Sequence, residues 1–201
     1  ATESWLTQYT DTIPEETEVI EVSDRELASV SSLKTPNEVL AVVEVSTQAV
    51  SLDVAHDNIC LYLDAVRDPG NLGTIIRTAD WFGIKHVFLS PDCVDVYNPK
   101  VIQASMSSVF RVTTTILTHE DLISATDIPV FATSLEGEDL TKMKAPHVGV
   151  IVMGNESTGT SPALLERADQ KVKIPGDKSL GAESLNVAVA TGAILAWTLH
   201  T

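Results

Sequence analysis

The chain has 201 residues, 44% apolar and 20% charged, the composition of a globular protein of one to one and a half domains with a core of its own. Its longest apolar runs, such as Ile59 to Leu63 and Val148 to Met153, are too short to span a bilayer, and Ala1 to Tyr9 lacks the basic and apolar regions of a secretory signal. With only Cys60 and Cys93, neither a disulfide framework nor a metal cage is expected, and a cytoplasmic protein is the reading. The net charge of −15, densest in residues 1–50 where ten acids face Arg25 and Lys34, argues by itself against a grip on phosphates.

In chain order, residues 1–50 read as a small separate piece. Glu18 to Val22 alternates like a strand, Asp24 to Ser32 looks like a short helix capped by Ser23 or Asp24, and Val39 to Val45 is a β-branched run. Residues 51–201 alternate strands and helices, the pattern of a mostly parallel sheet with helices on both faces. Ile59 to Val66 is expected as a strand, Asp68-Pro69-Gly70 as a turn and Thr74 to Phe82 as a helix stopped by Gly83. Strand Ile84 to Leu89, helix Asn98 to Val109, strand Arg111 to Leu117, helix Glu120 to Ala125, and strands Val130 to Thr133 and Val148 to Met153 come next. Helix Pro162 to Ala168, strand Lys171 to Ile174 and an apolar helix from about Glu183 to Leu199 complete the series.

Three strand-to-loop-to-helix junctions carry chemistry. In VRDPGNLGTIIRT, Arg77 is directed back over the loop carrying Asn71, a cation and an amide suited to a phosphate or ribose. The alternative is that Asn71 supports the turn and Arg77 pairs with Asp80 or Asp64. In IVMGNESTGTS, Gly154 permits close backbone approach, and Glu156 is either a site acid or a capping or solvated carboxylate. In KIPGDKSLGAESLN, Ser184 and Asn186 fall in the first turn of the last helix, with Ser184 also a helix-capping type. All three junctions lie at strand carboxyl ends, where open α/β sheets bind ligands. Neither G-x-G-x-x-G nor a Walker lysine is present.

The ordered set NLGTIIRTADWFG, VIVMGNESTGTS and IPGDKSLGAESLNVAVA resembles the three motifs of SpoU/TrmH-type RNA 2′-O-ribose methyltransferases, of the SPOUT class, over about Leu61 to Leu199. The stretch NPKVIQASMSSVF fits the linker region, and SDRELASVSSLKTPNEVLAVVEV looks like the end of the N-terminal substrate-binding domain, L30e-like in that family. The resemblance implies a C-terminal trefoil knot forming an S-adenosylmethionine pocket, and a homodimer. By motif, it implies active-site positions at Asn71, Arg77, Glu156, Ser184 and Asn186, and cofactor contacts at Thr133, Gly154, Asn155, Ile174 and Leu185. Two departures stand out: Pro175 and Ser184 enclose eight residues where the family usually has six, and Gln103 stands where arginine is frequent. The family's usual basic opening segment is missing before Val19, so a truncated or incompletely traced protein is expected.

The resulting expectation is an S-adenosylmethionine-dependent RNA 2′-O-methyltransferase, on ribosomal RNA rather than transfer RNA, with residues 1–50 a partial RNA substrate-binding domain and 51–201 the methyltransferase domain. The alternative classes are an RNA-binding or assembly protein that keeps the fold without chemistry, which the acidic surface favours, and an unrelated nucleotide-binding α/β protein. RNA and a second copy of the chain are the expected partners; a membrane and a metal are not.

Overall fold

The computed structural model describes residues 1–44, 49–177, 181 and 183–199, and the chain packs as two compact units, Ala1–Thr47 and Gln48–Thr201. In the first unit, helix α1 (Glu3–Tyr9) is capped by the Thr2 hydroxyl. Helix α2 (Asp24–Val30) opens with a reciprocal capping box, in which the Ser23 side chain accepts from the Glu26 N–H and Glu26 accepts from the Ser23 N–H. The strands expected at 18–22 and 39–45 are absent among the described residues of this unit; Val45 lies outside them. β-Branched composition makes a strand only where a partner supplies a ladder. Here the Ala1 amino group bonds Ile20 O at 2.9 Å, Val22 N–H bonds Ala1 O at 3.0 Å and Thr2 N–H bonds Glu38 O at 2.9 Å, which is too little pairing for a sheet.

The second unit is a six-stranded, all-parallel sheet in the order β3-β2-β1-β5-β4-β6. Its strands are β1 (Ile59–Leu63), β2 (His86–Leu89), β3 (Thr113–Ile116), β4 (Val130–Asp139), β5 (Gly149–Met153) and β6 (Gln170–Lys173). β1 and β5 are buried throughout, which explains their unbroken apolar runs. Successive β1 side chains serve opposite faces. Ile59, Leu61 and Leu63 join Leu72, Ile75, Ile76, Val101 and Leu195 in one core, while Cys60 and Tyr62 join Leu122, Val150, Val152 and Leu164 in the other. Helices α3 (Pro69–Trp81), α4 (Pro99–Ser105) and α7 (Val187–Leu199) supply the first core. Helices α5 (His119–Ser124) and α6 (Pro162–Arg167) supply the second.

Several boundaries differ from the sequence reading. α3 begins at Pro69, five residues early, because Asp68 caps it by accepting from Asn71 N–H at 2.8 Å and proline suits the first helical position. Gly70 and Gly73 therefore lie within the helix. Gly73 is required there for packing, since a Cβ would stand 2.6 Å from both Ala104 Cβ and Val101 O of α4. The helix expected over 98–109 stops at Ser105, because Met106 and Ser107 adopt left-handed backbone before a short 3-10 turn at Ser108–Phe110. β1 ends at Leu63, short of the expected Val66, as Ala65 turns left-handed (φ 54°). β4 runs six residues past Thr133, with the register against β6 broken between Thr133 and Glu138. α7 starts at Val187, not Glu183.

Candidate active site

The chain leaves β1 toward β2 on one side and leaves β5 toward β6 on the other, although β1 and β5 are neighbours. This divergence opens a crevice at their carboxyl ends. Three side chains from distant segments meet there. Asn71 Nδ2 donates to Glu156 Oε1 at 2.6 Å, and Asn186 Nδ2 donates to Asn71 Oδ1 at 2.9 Å. Asn71 lies in the first turn of α3, and Asn186 caps α7, its Oδ1 accepting from Ala188 N–H at 2.9 Å and Val189 N–H at 3.3 Å. The N-terminal ends of two thirteen-residue helices are thus joined through Asn71, which alone of the two asparagines touches the carboxylate. Asn186, and not Ser184, is the capping residue, which is why α7 begins later than expected. Ser184 lies outside the helix and is exposed.

The β5–α6 loop is shaped by its own residues. Gly154 is needed because a Cβ would stand 2.2 Å from Thr160 N and 2.3 Å from Gly159 C. Asn155 and Gly159 exchange backbone hydrogen bonds at 3.0 and 2.9 Å, while Asn155 Oδ1 accepts from Ser157 N–H and Oγ–H at 2.9 and 2.7 Å. Asn155 Nδ2 reaches across to Ala65 O at 2.7 Å, and Thr160 Oγ1 donates to Thr133 O at 2.9 Å, so this loop is tied to the chain leaving β1 and to β4 at its register break.

Arg77 is exposed on α3 and has no hydrogen-bond or ionic partner among the described residues. Neither acid offered as its alternative partner pairs with it; each has other partners. Asp80 accepts from Arg111 Nη2 at 2.6 Å and from Ser108 Oγ–H at 2.7 Å, and Asp64 contacts His119 Nε2 at 3.0 Å. The Arg111 guanidinium, with Ser108, holds the Asp80 carboxyl below the usual range. Ile174 is half-buried against the α3-side core, and Leu185 is 51% exposed. Four residues of the 176–183 loop, at 178–180 and 182, lie outside the described residues. Burial pushes the Cys60 thiol up to about 12 and raises that of Cys93, so neither supplies a nucleophilic thiolate at neutral pH.

One buried acid was considered from sequence only as a surface partner. Asp64, 3% exposed, follows the all-apolar β1 and accepts from Ser161 N–H at 2.7 Å in addition to its contact with His119. An acid directly after an unbroken apolar strand is the sequence signal that could have found it.

Residues 58–196 match the model of the SpoU rRNA Methylase family. The chain belongs to that family. It is 33% identical over 183 residues to the 23S rRNA (guanosine(2553)-2′-O)-methyltransferase RlmP of Bacillus subtilis, a match covering 89% of this chain and 71% of that protein. It is 32% identical to the 23S rRNA (uridine(2479)-2′-O)-methyltransferase of Streptomyces viridochromogenes, covering 80% of this chain and 59% of that one. The crystal structure of an AdoMet-bound rRNA methyltransferase from Sinorhizobium meliloti superposes with a TM-score of 0.84 at 30% identity, over 98% of this chain and 77% of that one. The chain therefore spans roughly three-fifths to seven-tenths of these curated relatives. Among the described residues no helix is long and apolar enough to cross a membrane.

Proposed function

We propose that this member of the SpoU family is an S-adenosylmethionine-dependent RNA methyltransferase that methylates a ribose 2′-hydroxyl in ribosomal RNA. The observation that carries the reading is the meeting of Asn71, Glu156 and Asn186 in the β1/β5 crevice, with Arg77, on the same helix as Asn71, unpartnered among the described residues. The cofactor supplies an electrophilic methyl group on a sulfonium. The residues at the crevice fit it: Ile174 and Leu185 offer apolar surface for an adenine, while Thr133, at the register break within β4, and Gly154 and Asn155, just past β5, place polar backbone beside it.

The protein's share of the chemistry is orientation more than covalent work. Arg77, whose guanidinium stays protonated because its pKa lies above about 12, holds an RNA phosphate and the 2′-hydroxyl. Proton removal is shared with that phosphate. Glu156 is held by Asn71, and Asn71 by Asn186, so the three act as one positioning unit; Ser184 adds a hydroxyl at the mouth. Residues 51–201 form the methyltransferase domain, with the family's trefoil knot at its C-terminal end, and residues 1–50 are the L30e-like part of a substrate-binding domain. The protein works as a cytoplasmic homodimer through α3 and α7.

The net charge of −15 favours a second reading, a non-catalytic assembly protein. Mapping 2′-O-methyl groups on ribosomal and transfer RNA from a deletion strain separates them. Loss of one ribosomal methyl group is expected; loss from transfer RNA alone reassigns the substrate, and an unchanged map supports the assembly role. Titration calorimetry with S-adenosylmethionine tests the cofactor directly, and absence of binding overturns the proposal.

A further inference from the structure

Asp64 stands where β1, the β5–α6 loop and α5 converge, and each of its carboxylate oxygens has one donor-bearing neighbour. Oδ2 accepts from Ser161 N–H at 2.7 Å, ninety-seven residues away, and Oδ1 lies 3.0 Å from His119 Nε2 in the first turn of α5. Its own N–H extends the β1–β5 ladder by donating to Met153 O at 2.9 Å. A carboxylate this deeply buried is costly unless fully paired. The sheet core does not need it, since β1 and β5 already bury only apolar residues and tyrosine on both faces.

What Asp64 does hold is the loop that carries Asn155 and Glu156. That loop is clamped at both ends to the chain leaving β1: near its start by Asn155 Nδ2 on Ala65 O, and at its end by Ser161 N–H on Asp64. Ala65 is in turn fixed from the β2 side, where its N–H donates to Ser90 Oγ at 2.9 Å, and its left-handed backbone separates the Asp64 side chain from the carbonyl that Asn155 uses. The two clamps set the β5–α6 loop against the start of α3, the juxtaposition in which Glu156 meets Asn71 at 2.6 Å.

The geometry points to Asp64 as a positioning residue for methyl transfer, holding the 154–161 loop through the Ser161 N–H, with His119 orienting the carboxylate. This rests on the methyltransferase reading above. Asp64 touches neither substrate nor cofactor; it acts through Asn155 and Glu156.

Three variants of the full chain test it: D64A, D64N and S161P. D64N keeps an acceptor for Ser161 N–H and presents an amide to His119, so it preserves the clamp without the charge. S161P removes that N–H together with the side-chain hydroxyl and turns a ring carbon toward the carboxylate, at a residue whose φ of −59° and ψ of 146° already suit proline before Pro162. The measurements are S-adenosylmethionine affinity by calorimetry, KM and kcat for tritiated methyl transfer to ribosomal RNA from the deletion strain, thermal midpoint, and amide exchange at residues 154–161.

D64A and S161P are expected to lose at least tenfold in kcat, with RNA KM within threefold of wild type and faster exchange confined to 154–161. D64N is expected to recover to within threefold of wild-type kcat. The proposal is overturned if D64A and S161P keep kcat within twofold, if D64N is as impaired as D64A, or if exchange rises across the whole sheet in S161P as it would for a merely structural residue. Should D64A fail to fold, S161P and D64N decide by the same criteria. Wild-type protein that neither binds cofactor nor transfers methyl overturns the methyltransferase reading instead, and the clamp is then judged on exchange at 154–161 alone.

Discussion

Asn71 and Glu156 are eighty-five residues apart in sequence and 2.6 Å apart in space, joined by an amide-to-carboxylate hydrogen bond with Asn186 completing the chain from the other side. The amide of Asn71 is engaged at both ends, donating from Nδ2 and accepting at Oδ1. No isosteric apolar side chain can do both.

Asn71→Ala removes both bonds and frees Glu156 and Asn186. Because the cluster is largely solvent-accessible, the cost in stability is expected to be only about 1 kcal/mol. The rate of methyl transfer is expected to fall roughly 10- to 100-fold, in the range of about 1.4 to 2.7 kcal/mol of lost transition-state orientation. Urea unfolding and tritiated methyl transfer, run on the same preparation, check the contrast.

Arg77→Ala is expected to abolish methyl transfer while leaving both folding and cofactor affinity close to wild type. The guanidinium has no partner among the described residues, so its loss leaves nothing unpaired, and surface changes of this kind stay within about 0.5 kcal/mol. Retained activity at saturating RNA would show that Arg77 is only a solvated cation.

Gly154→Ala acts on the backbone. The new methyl would overlap Thr160 N and Gly159 C, neither of which is the tip of a flexible side chain. The loop must open, at a cost of about 3 kcal/mol or more, with loss of cofactor binding. A urea midpoint within error of wild type would contradict the observed loop path.

The Asp80–Arg111 pair gives a signed pH prediction. Folding lowers the Asp80 carboxyl pKa, first through its hydrogen bond from Arg111 and then through that from Ser108. Its stabilisation is therefore present above the unfolded value, about 3.9, and is lost as pH falls through the lower folded value. Arg111→Ala should unfold at lower urea than wild type at pH 7, with the gap closing in acid below pH 4. A gap that widens in acid would reverse the assignment.

The apolar face of α7 predicts self-association. Val189 is 59% exposed, Ala193 is exposed, and Gly192 and Ala196 are half-buried, so an apolar strip of small residues is left along a helix whose other side packs into the core through Val187, Ala188, Ile194 and Leu195. Light scattering is expected to give twice 21.6 kDa for the wild type and the single-chain mass for Ala193→Glu. A wild-type monomer would make the strip ordinary surface.

The sequence by itself determined the architecture of residues 51–201. Unbroken apolar runs at β1 and β5, separated by helix-length amphipathic segments, admit little but a parallel sheet covered on both faces. The motif order also put Asn71, Glu156 and Asn186 in one family site before their contact was visible. The tertiary structure decided what depends on partners. Proline and a capping aspartate moved Asn71 from a loop into the first turn of α3, and capping by Asn186 displaced Ser184 from α7. Pairing decided the rest: the alternating segment 18–22 and the β-branched run from Val39 form no ladder among the described residues, and Asp80 pairs with Arg111 and not with Arg77. Local pattern fixes which residues favour a helix or strand, whereas hydrogen-bond partners and burial come from segments tens of residues away. Asp64 shows the same limit, an acid after an apolar strand whose two partners lie fifty-five and ninety-seven residues further along the chain.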